Sequence, residues 1–276
     1  MTVSQDKGAA RTTAATPPDH LNTQFERDGY VICPPLFTAD FVHRVNEHID
    51  LLLAGKAETG IAPMTYNPER NRVDPTALVK MDQTHLSDRT VYELVTHPAL
   101  GRWAAAVTGA QKIWVWATQL LVKPPGGKDS GNVGWHQDWH YWAPWFKPES
   151  EIFTAWVAMT DVKEDCGPML FAHGSNRWGS LGQGHFFDSD IDAQKRAMAL
   201  PPGESWREVP AVMPPGAMSF HHRYTFHGSG PNRSGHARRS FAIHLRTEKS
   251  WGRTDSEDYY PKILDNEHDC PLIFSS

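Results

Sequence analysis

Ile113-Trp114-Val115-Trp116-Ala117-Thr118-Gln119-Leu120-Leu121-Val122-Lys123 is where the hydrophobic pattern of this 276-residue chain changes character. Upstream, apolar residues recur at helical spacing; from Lys112 onward the period is two, in short runs closed by Gly, Pro and Asn. Further runs of this kind cover residues 153–160, 169–172, 217–226 and 238–246. Many short strands with such breaks predict a mainly β core, a sandwich or jelly-roll barrel. Before that core, Phe25-Glu26-Arg27-Asp28-Gly29-Tyr30-Val31-Ile32 reads as a helix end, a glycine stop and a strand. Thr38 reads as the N-cap of an amphipathic helix carrying Phe41, Val42, Val45, Ile49, Leu52 and Leu53 as far as Gly55. Residues 57–73 are loop-like, and 88–108 hold two short helical patterns separated by His97-Pro98. The expected organisation is a disordered leader over 1–20 and a single domain over 21–276. Within that domain, a helical part at about 38–110 precedes a jelly-roll core at about 111–250 and a tail with no readable chemistry.

Composition narrows the function classes. A net charge of -5 with scattered Lys and Arg supplies no basic field for nucleic acid. Cys33, Cys166 and Cys270 are too few and too widely spaced for a disulfide framework or a zinc ribbon, which favours a reducing cytoplasm. No run approaches the roughly 20 apolar residues of a membrane span. The unusual entries are 11 Trp and 15 His. Core packing is the expectation for Trp103, Trp114 and Trp251, whereas Trp142 and Trp145, beside the motif below, are expected to line a pocket.

That motif is Gly134-Trp135-His136-Gln137-Asp138-Trp139-His140-Tyr141-Trp142. A histidine and a carboxylate two apart on a strand face the same side, and one more histidine completes a facial triad for iron(II) with three open positions. The third candidate is His227, at the end of the apolar run through Phe220 and Phe226 and the start of the turn His227-Gly228-Ser229-Gly230-Pro231-Asn232. His140, His221, His222, His236 and His244 compete for the role. His140 shares the face of His136 only if the strand continues, and no helical pattern supports a zinc pair there. His221 and His222 fall mid-strand and read as hydrogen-bonded core residues, and His236 lies in a turn.

An iron oxygenase that uses a 2-oxoacid also needs a cation for the distal carboxylate, and the arginine fork suits it. Arg238 and Arg239 both follow His227. Arg239 shares its strand face with Phe241, Ile243 and Leu245, and Arg238 shares its face with Ser240, Ala242 and His244. Arg238 is therefore expected to point into the polar cavity.

These residues and several others resemble the phytanoyl-CoA dioxygenase family of iron(II)- and 2-oxoglutarate-dependent oxygenases. The matching pieces are Asp28-Gly29-Tyr30, Lys123-Pro124-Pro125-Gly126, Trp135-His136-Gln137-Asp138, Ala155-Trp156-Val157-Ala158-Met159, Cys166-Gly167-Pro168-Met169, His173-Gly174-Ser175 and His227 to Asn232 with Arg238, in family order. The resemblance implies a double-stranded β-helix (jelly-roll, cupin-like) core with flanking helices. It implies that His136, Asp138 and His227 are the iron ligands and that Arg238 and Ser229 meet the 2-oxoglutarate carboxylate. By the same resemblance, Lys80, Gln119 and Trp156 make further cosubstrate contacts, and Gln137 and Trp142 face the substrate. Halogenating relatives carry a small residue in place of the carboxylate, so an intact Asp138 points to oxygenation.

The expected activity is thus oxidation of a small molecule by hydroxylation, desaturation, epoxidation or ring formation. Iron(II), 2-oxoglutarate and O2 are the expected cofactors, and succinate and CO2 the expected by-products. The aromatic cluster points to an apolar or ring-containing substrate, such as a specialised metabolite. The competing expectation is a metal-binding barrel with a non-oxidative role, as an isomerase or a small-molecule binding module.

Overall fold

Residues 15–66, 68–127 and 129–276 are described by the structure, a computed structural model; most of the expected leader (1–14), Asn67 of the expected loop and Lys128 lie outside the described residues. Helix α1 (Leu21–Asp28) ends at Gly29, whose φ of 81° lets its N–H bond to the Phe25 carbonyl. Strand β1 (Tyr30–Pro35) follows, then α2 (Ala39–Leu53), where the Thr38 hydroxyl accepts from the Phe41 amide. Such a cap contributes about 1 kcal/mol. The segment 57–73 is not all loop, because α3 (Pro68–Val73) occupies its end, and β2 (Val79–Asp82) then puts Lys80 on a strand. After α4 (Thr84–Ser87), helices α5 (Arg89–Val95) and α6 (Pro98–Thr108) part at His97, which takes the extended backbone favoured before proline.

The remainder is mainly β. In chain order it comprises β3 (Lys112–Lys123), β4 (Val133–His136), α7 (Trp139–Trp142), β5 (Ile152–Ala158), β6 (Leu170–Ala172), α8 (Ile191–Ala197), β7 (Glu208–Pro210) and β8 (Ala217–His222). Then come β9 (His227–Ser229), β10 (Arg238–Thr247), α9 (Tyr259–Ile263) and β11 (Leu272–Ser275). One sheet has the order β1-β8-β5-β10-β3-β11 with β2 also on β3, and a smaller one has the order β4-β9-β6-β7. Their ladders are antiparallel. Two such sheets with helices on the outer face of the larger make the expected jelly roll.

Side-chain alternation divides the large sheet between two cores. Phe241, Ile243 and Leu245 of β10 join Phe153, Ala155 and Val157 of β5 in a cluster with Phe25, Val45 and Leu100 from the helices. Ala242, Trp156 and Ala158 point the other way, to Val133 and Phe171 of the small sheet. Trp103 is core as expected, but Trp251 is 45% exposed. Past the end of β10, the Trp251 backbone helps tie the chain down, through Ser150 Oγ and the Lys147 amide, beside the bonds of Lys249 and Arg253. Cys33, Cys166 and Cys270 are all free and buried.

The expected strand over 217–226 stops at His222, and a second strand begins only at His227. Residues 223–226 carry the chain from the large sheet to the small one, so His227 opens β9 and does not end a continuous strand. Both sides of this crossing are buried, and apolar periodicity therefore runs through it unmarked. Specific bonds hold the crossing in place. The Arg223 guanidinium donates to the carbonyls of Ser150 and Pro148, and lies 4.5 Å over the Trp139 ring. Thr225 Oγ1 donates to the Gly29 carbonyl at 2.6 Å, and the Phe226 amide to Ser175 Oγ at 2.8 Å.

Gly29 therefore serves both α1 and the crossing, and a Cβ there would stand 2.5 Å from Thr225 Oγ1. Gly29→Ala is expected to destabilise the protein by about 2–4 kcal/mol, combining left-handed backbone strain with overpacking. Thermal unfolding checks this: the midpoint should fall by several degrees, and an unchanged midpoint would remove Gly29 from the account of the crossing.

Candidate active site

His136 lies opposite His227 in the β4–β9 register, with ring centroids 4.1 Å apart. Asp138 does not share a strand with His136, contrary to the expectation. β4 stops at His136, and Asp138 has helical backbone angles (φ -56°, ψ -37°) at the start of α7. The turn, instead of strand alternation, brings the carboxylate round, so that Asp138 Oδ1 lies 3.7 Å from both His136 Nε2 and His227 Nε2. All three residues are buried, and their ligand atoms lie within 4.8 Å of one another. His140 is exposed on the one-turn helix that replaces the expected strand.

Hydrogen bonds set the protonation of this group. His136 Nδ1 donates to the Gly134 carbonyl at 2.8 Å and His227 Nδ1 to the Thr225 carbonyl at 2.9 Å, which turns each Nε2 lone pair toward Asp138. Burial pushes both imidazoles below their ordinary pKa, so both rings are neutral at pH 7. Asp138 Oδ2 accepts from Thr154 Oγ1 at 2.8 Å and from His221 Nε2 at 3.2 Å. Burial by itself raises the Asp138 carboxyl, but the His227 ring and the His221 bond outweigh it and hold the group below the usual carboxylate range. Two imidazole lone pairs and a carboxylate oxygen thus converge with no proton among them, a donor set that fits iron(II) with open positions.

His221, read from sequence as a structural core residue, borders this group, with its ring 4.3 Å from that of His227. Thr154 escaped the sequence reading because a buried Thr on a strand carries no local signal, and His244 stood there only as a competing ligand on the Arg238 face of its strand. Only the pairing of β5 with β10 and β8 places them here.

The group opens on a cavity of ≈ 370 Å³. At one end, Arg238 is buried, lies 5.3 Å over the Trp156 ring and donates to the Gly167 carbonyl, while its Nε has no partner. Arg239 turns to the opposite face and meets Asp50 of α2 at 2.5 Å, as alternation predicts. Ser229 and Gln119 line the same cavity. Behind Ser229, the buried Lys123 donates to Ser229 Oγ at 2.6 Å and to the Ser229 and Gly230 carbonyls. Burial and the neighbouring Arg238 push the Lys123 ammonium well below its ordinary pKa. Among the described residues neither Lys123 nor Arg238 meets a carboxylate, and an unpaired buried cation costs several kcal/mol unless a ligand supplies the anion. Lys80 differs: it lines the cavity, but its ammonium bonds both oxygens of Asp82 at 2.6 Å.

Trp142 and Trp145 lie in the cavity wall with Trp116, Tyr141, Phe186 and Tyr260, the last contributed by the tail. Gln137, expected to face the substrate, does not lie in that wall. Its amide donates to the Gly179 and Tyr224 carbonyls, each at 2.7 Å, and accepts from the Leu181 amide at 2.9 Å, pinning the start of the long connection to β7.

A jelly roll with a His-Asp-His group and an unpaired arginine in one cavity is the arrangement of 2-oxoacid-dependent oxygenases. Residues 25–240 match the model of the phytanoyl-CoA dioxygenase (PhyH) family, and the chain belongs to that family. The human peroxisomal phytanoyl-CoA dioxygenase is 28% identical over 165 residues, covering 59% of this chain but only 48% of the human protein, so the match spans about half of that relative. A probable alpha-ketoglutarate-dependent hypophosphite dioxygenase of Stutzerimonas stutzeri is 25% identical over 229 residues, covering 81% of this chain and 76% of that protein. Among solved structures, the non-heme alpha ketoglutarate dependent carbocyclase SnoK from nogalamycin biosynthesis superposes with a TM-score of 0.73 at 22% identity, over 96% of this chain and 100% of that one. At that identity the likeness establishes the shared fold.

Thr154→Val keeps the shape of β5 but removes the bond that fixes Asp138 Oδ2. Affinity for iron(II) or manganese(II), measured by calorimetric titration, is expected to fall about 10–100-fold with the fold retained. Unchanged metal affinity would show that His221 alone orients the carboxylate.

Proposed function

We propose that this chain is a non-haem iron(II)- and 2-oxoglutarate-dependent dioxygenase that oxidises a small organic molecule and releases succinate and CO2. The observation that carries this reading is the presence, in one cavity, of the proton-free His136-Asp138-His227 group and the buried, unpaired Arg238. His136 Nε2, Asp138 Oδ1 and His227 Nε2 would hold iron(II), which supplies the redox chemistry coupling decarboxylation of 2-oxoglutarate by O2 to oxidation of the substrate. Arg238 takes the distal carboxylate of 2-oxoglutarate in its guanidinium fork, the geometry that arginine offers and lysine does not. Ser229 donates its hydroxyl to the same carboxylate, and its oxygen already accepts from Lys123, so its single proton is free for the ligand. Trp156 walls this end, with Gln119 beside it. Lys80 reaches the cosubstrate only by giving up part of its pairing with Asp82.

The aromatic wall bearing Trp142 and Trp145 holds an apolar or ring-bearing substrate and keeps bulk water from the metal side. An intact Asp138 leaves no coordination position for a halide, which favours hydroxylation, desaturation, epoxidation or ring formation. The name of SnoK places that protein in natural-product biosynthesis, which supports a specialised metabolite as substrate here, and the Stutzerimonas relative is named for its use of alpha-ketoglutarate, which supports the cosubstrate. Free buried thiols, and the lack of any described helix long and apolar enough to cross a membrane, fit work in a reducing cytoplasm.

Anaerobic addition of iron(II) and 2-oxoglutarate should produce the weak visible charge-transfer band of the chelate. Asp138→Ala and His227→Ala should each abolish the band and succinate formation while the circular dichroism stays native. A zinc-holding protein with oxygen-independent turnover would instead make this a non-oxidative barrel. Arg238→Ala should raise the half-saturating 2-oxoglutarate concentration at least about tenfold, the loss expected for a charge-assisted bond; unchanged affinity would remove Arg238 from the cosubstrate site.

A further inference from the structure

Between the metal group and the tryptophans, His244 offers a hydrogen-bond acceptor that no described residue uses. His244 of β10 is buried and lines the cavity, stacked on Trp116 at 5.4 Å and edge-on to Trp142 at 4.9 Å between ring centroids. Its Nδ1 lies 2.9 Å from Thr154 Oγ1. Thr154 has a single hydroxyl proton, and that proton is committed: Asp138 is a carboxylate, which only accepts, so Oγ1 donates to Oδ2 at 2.8 Å. Toward His244, Oγ1 is therefore the acceptor, and Nδ1 carries the imidazole proton. Burial keeps the ring neutral, its pKa pushed down to about 4. A neutral imidazole has one N–H, so Nε2 is a bare lone pair. Among the described residues nothing bonds to Nε2, and it is not one of the buried side-chain atoms sealed away without a partner.

We propose that His244 Nε2 accepts a hydrogen bond from a hydroxyl or N–H group of the substrate and thereby selects flat, uncharged ring compounds that bear such a donor. The inference rests on the reading of this cavity as the oxygenase substrate pocket. Two of the charges that act on His244, Lys80 and Asp82, neutralise each other as an ion pair. Stacking on indole faces holds a flat ring but leaves it free to rotate in its plane. One directional acceptor removes that freedom and fixes which carbon faces the metal group. Discrimination is two-sided, since the same lone pair repels an ether or carbonyl oxygen placed where the donor belongs.

The test uses 2-naphthol and 2-methoxynaphthalene, which share a ring system and differ in the donor. Titrated calorimetrically into the full chain loaded with zinc(II) and 2-oxoglutarate, 2-naphthol should bind about tenfold more tightly, the effect of one ordinary hydrogen bond. In His244→Phe the preference should shrink below about twofold, whereas His244→Asn, which can offer a carbonyl oxygen, should retain part of it. In the unaltered protein, nitrogen-15 spectra should place the His244 Nε2 resonance in the unprotonated range and move it on addition of 2-naphthol but not of the ether. Equal affinities, no binding of either probe, a preference that survives His244→Phe, or a protonated Nε2 would each overturn the proposal. An iron–2-oxoglutarate band without a naphthol preference rejects the role of His244 alone. A naphthol preference without the band rejects the cosubstrate reading and leaves His244 as the acceptor.

Discussion

Asp138 stands on the seam between the two sheets, and its two oxygens answer to different ones. Oδ2 is tied to Thr154 on β5 and His221 on β8, both in the large sheet. Oδ1 faces His136 on β4 and His227 on β9, both in the small sheet. A carboxylate held by two bonds on one side cannot swing without breaking them, so the spacing of the sheets and the geometry of the metal group are a single constraint. The crossing at residues 223–226 matters for the same reason: it delivers His221 to one sheet and His227 to the other, six residues apart in sequence and in ring contact.

The other end of the cavity follows a different rule. Arg238 and Lys123 are buried next to each other without an anion among the described residues, an arrangement that costs free energy in the unliganded fold. A dicarboxylate entering there relieves that cost, and what the fold gives up in stability returns as affinity and as selection for a charged end group. Lys123 also keeps Ser229 Oγ in the acceptor role on its inner side, which decides where the serine proton can go. The tryptophan-lined end shows the opposite logic, with its charges paired off and its polar atoms few.

Much of this was legible in the sequence. The helix stop at Gly29, the Thr38 cap and the break at His97-Pro98 each follow from local backbone chemistry, and local chemistry needs no partner to act. The choice of Arg238 over Arg239 followed from strand alternation, because both faces of β10 are buried but only one faces the other sheet. What stayed hidden depends on pairing. The sheet change after His222, the turn that carries Asp138 round, and the arrival of Thr154 and His221 at one carboxylate, with His244 behind Thr154, are set by which strands lie side by side. Gln137 misled for a related reason: it sits between two site residues in sequence, yet its backbone position points its amide at a loop.

Most of the aromatic wall comes from connectors and not from the ladders that position the metal group. Tyr141, Trp142 and Trp145 lie on and after α7, Phe186 in the connection to β7, and Tyr260 on α9. The connection is pinned by Gln137 at Gly179 and Leu181, by Tyr141 and Gly134 at Phe186, by Asn132 at Ser189 and by Trp135 at Gln194. Substrate preference and metal chemistry are thus stored in separable parts of the chain. A lineage can rewrite the first, residue by residue or by lengthening a connector, while β4, β5, β8 and β9 preserve the second.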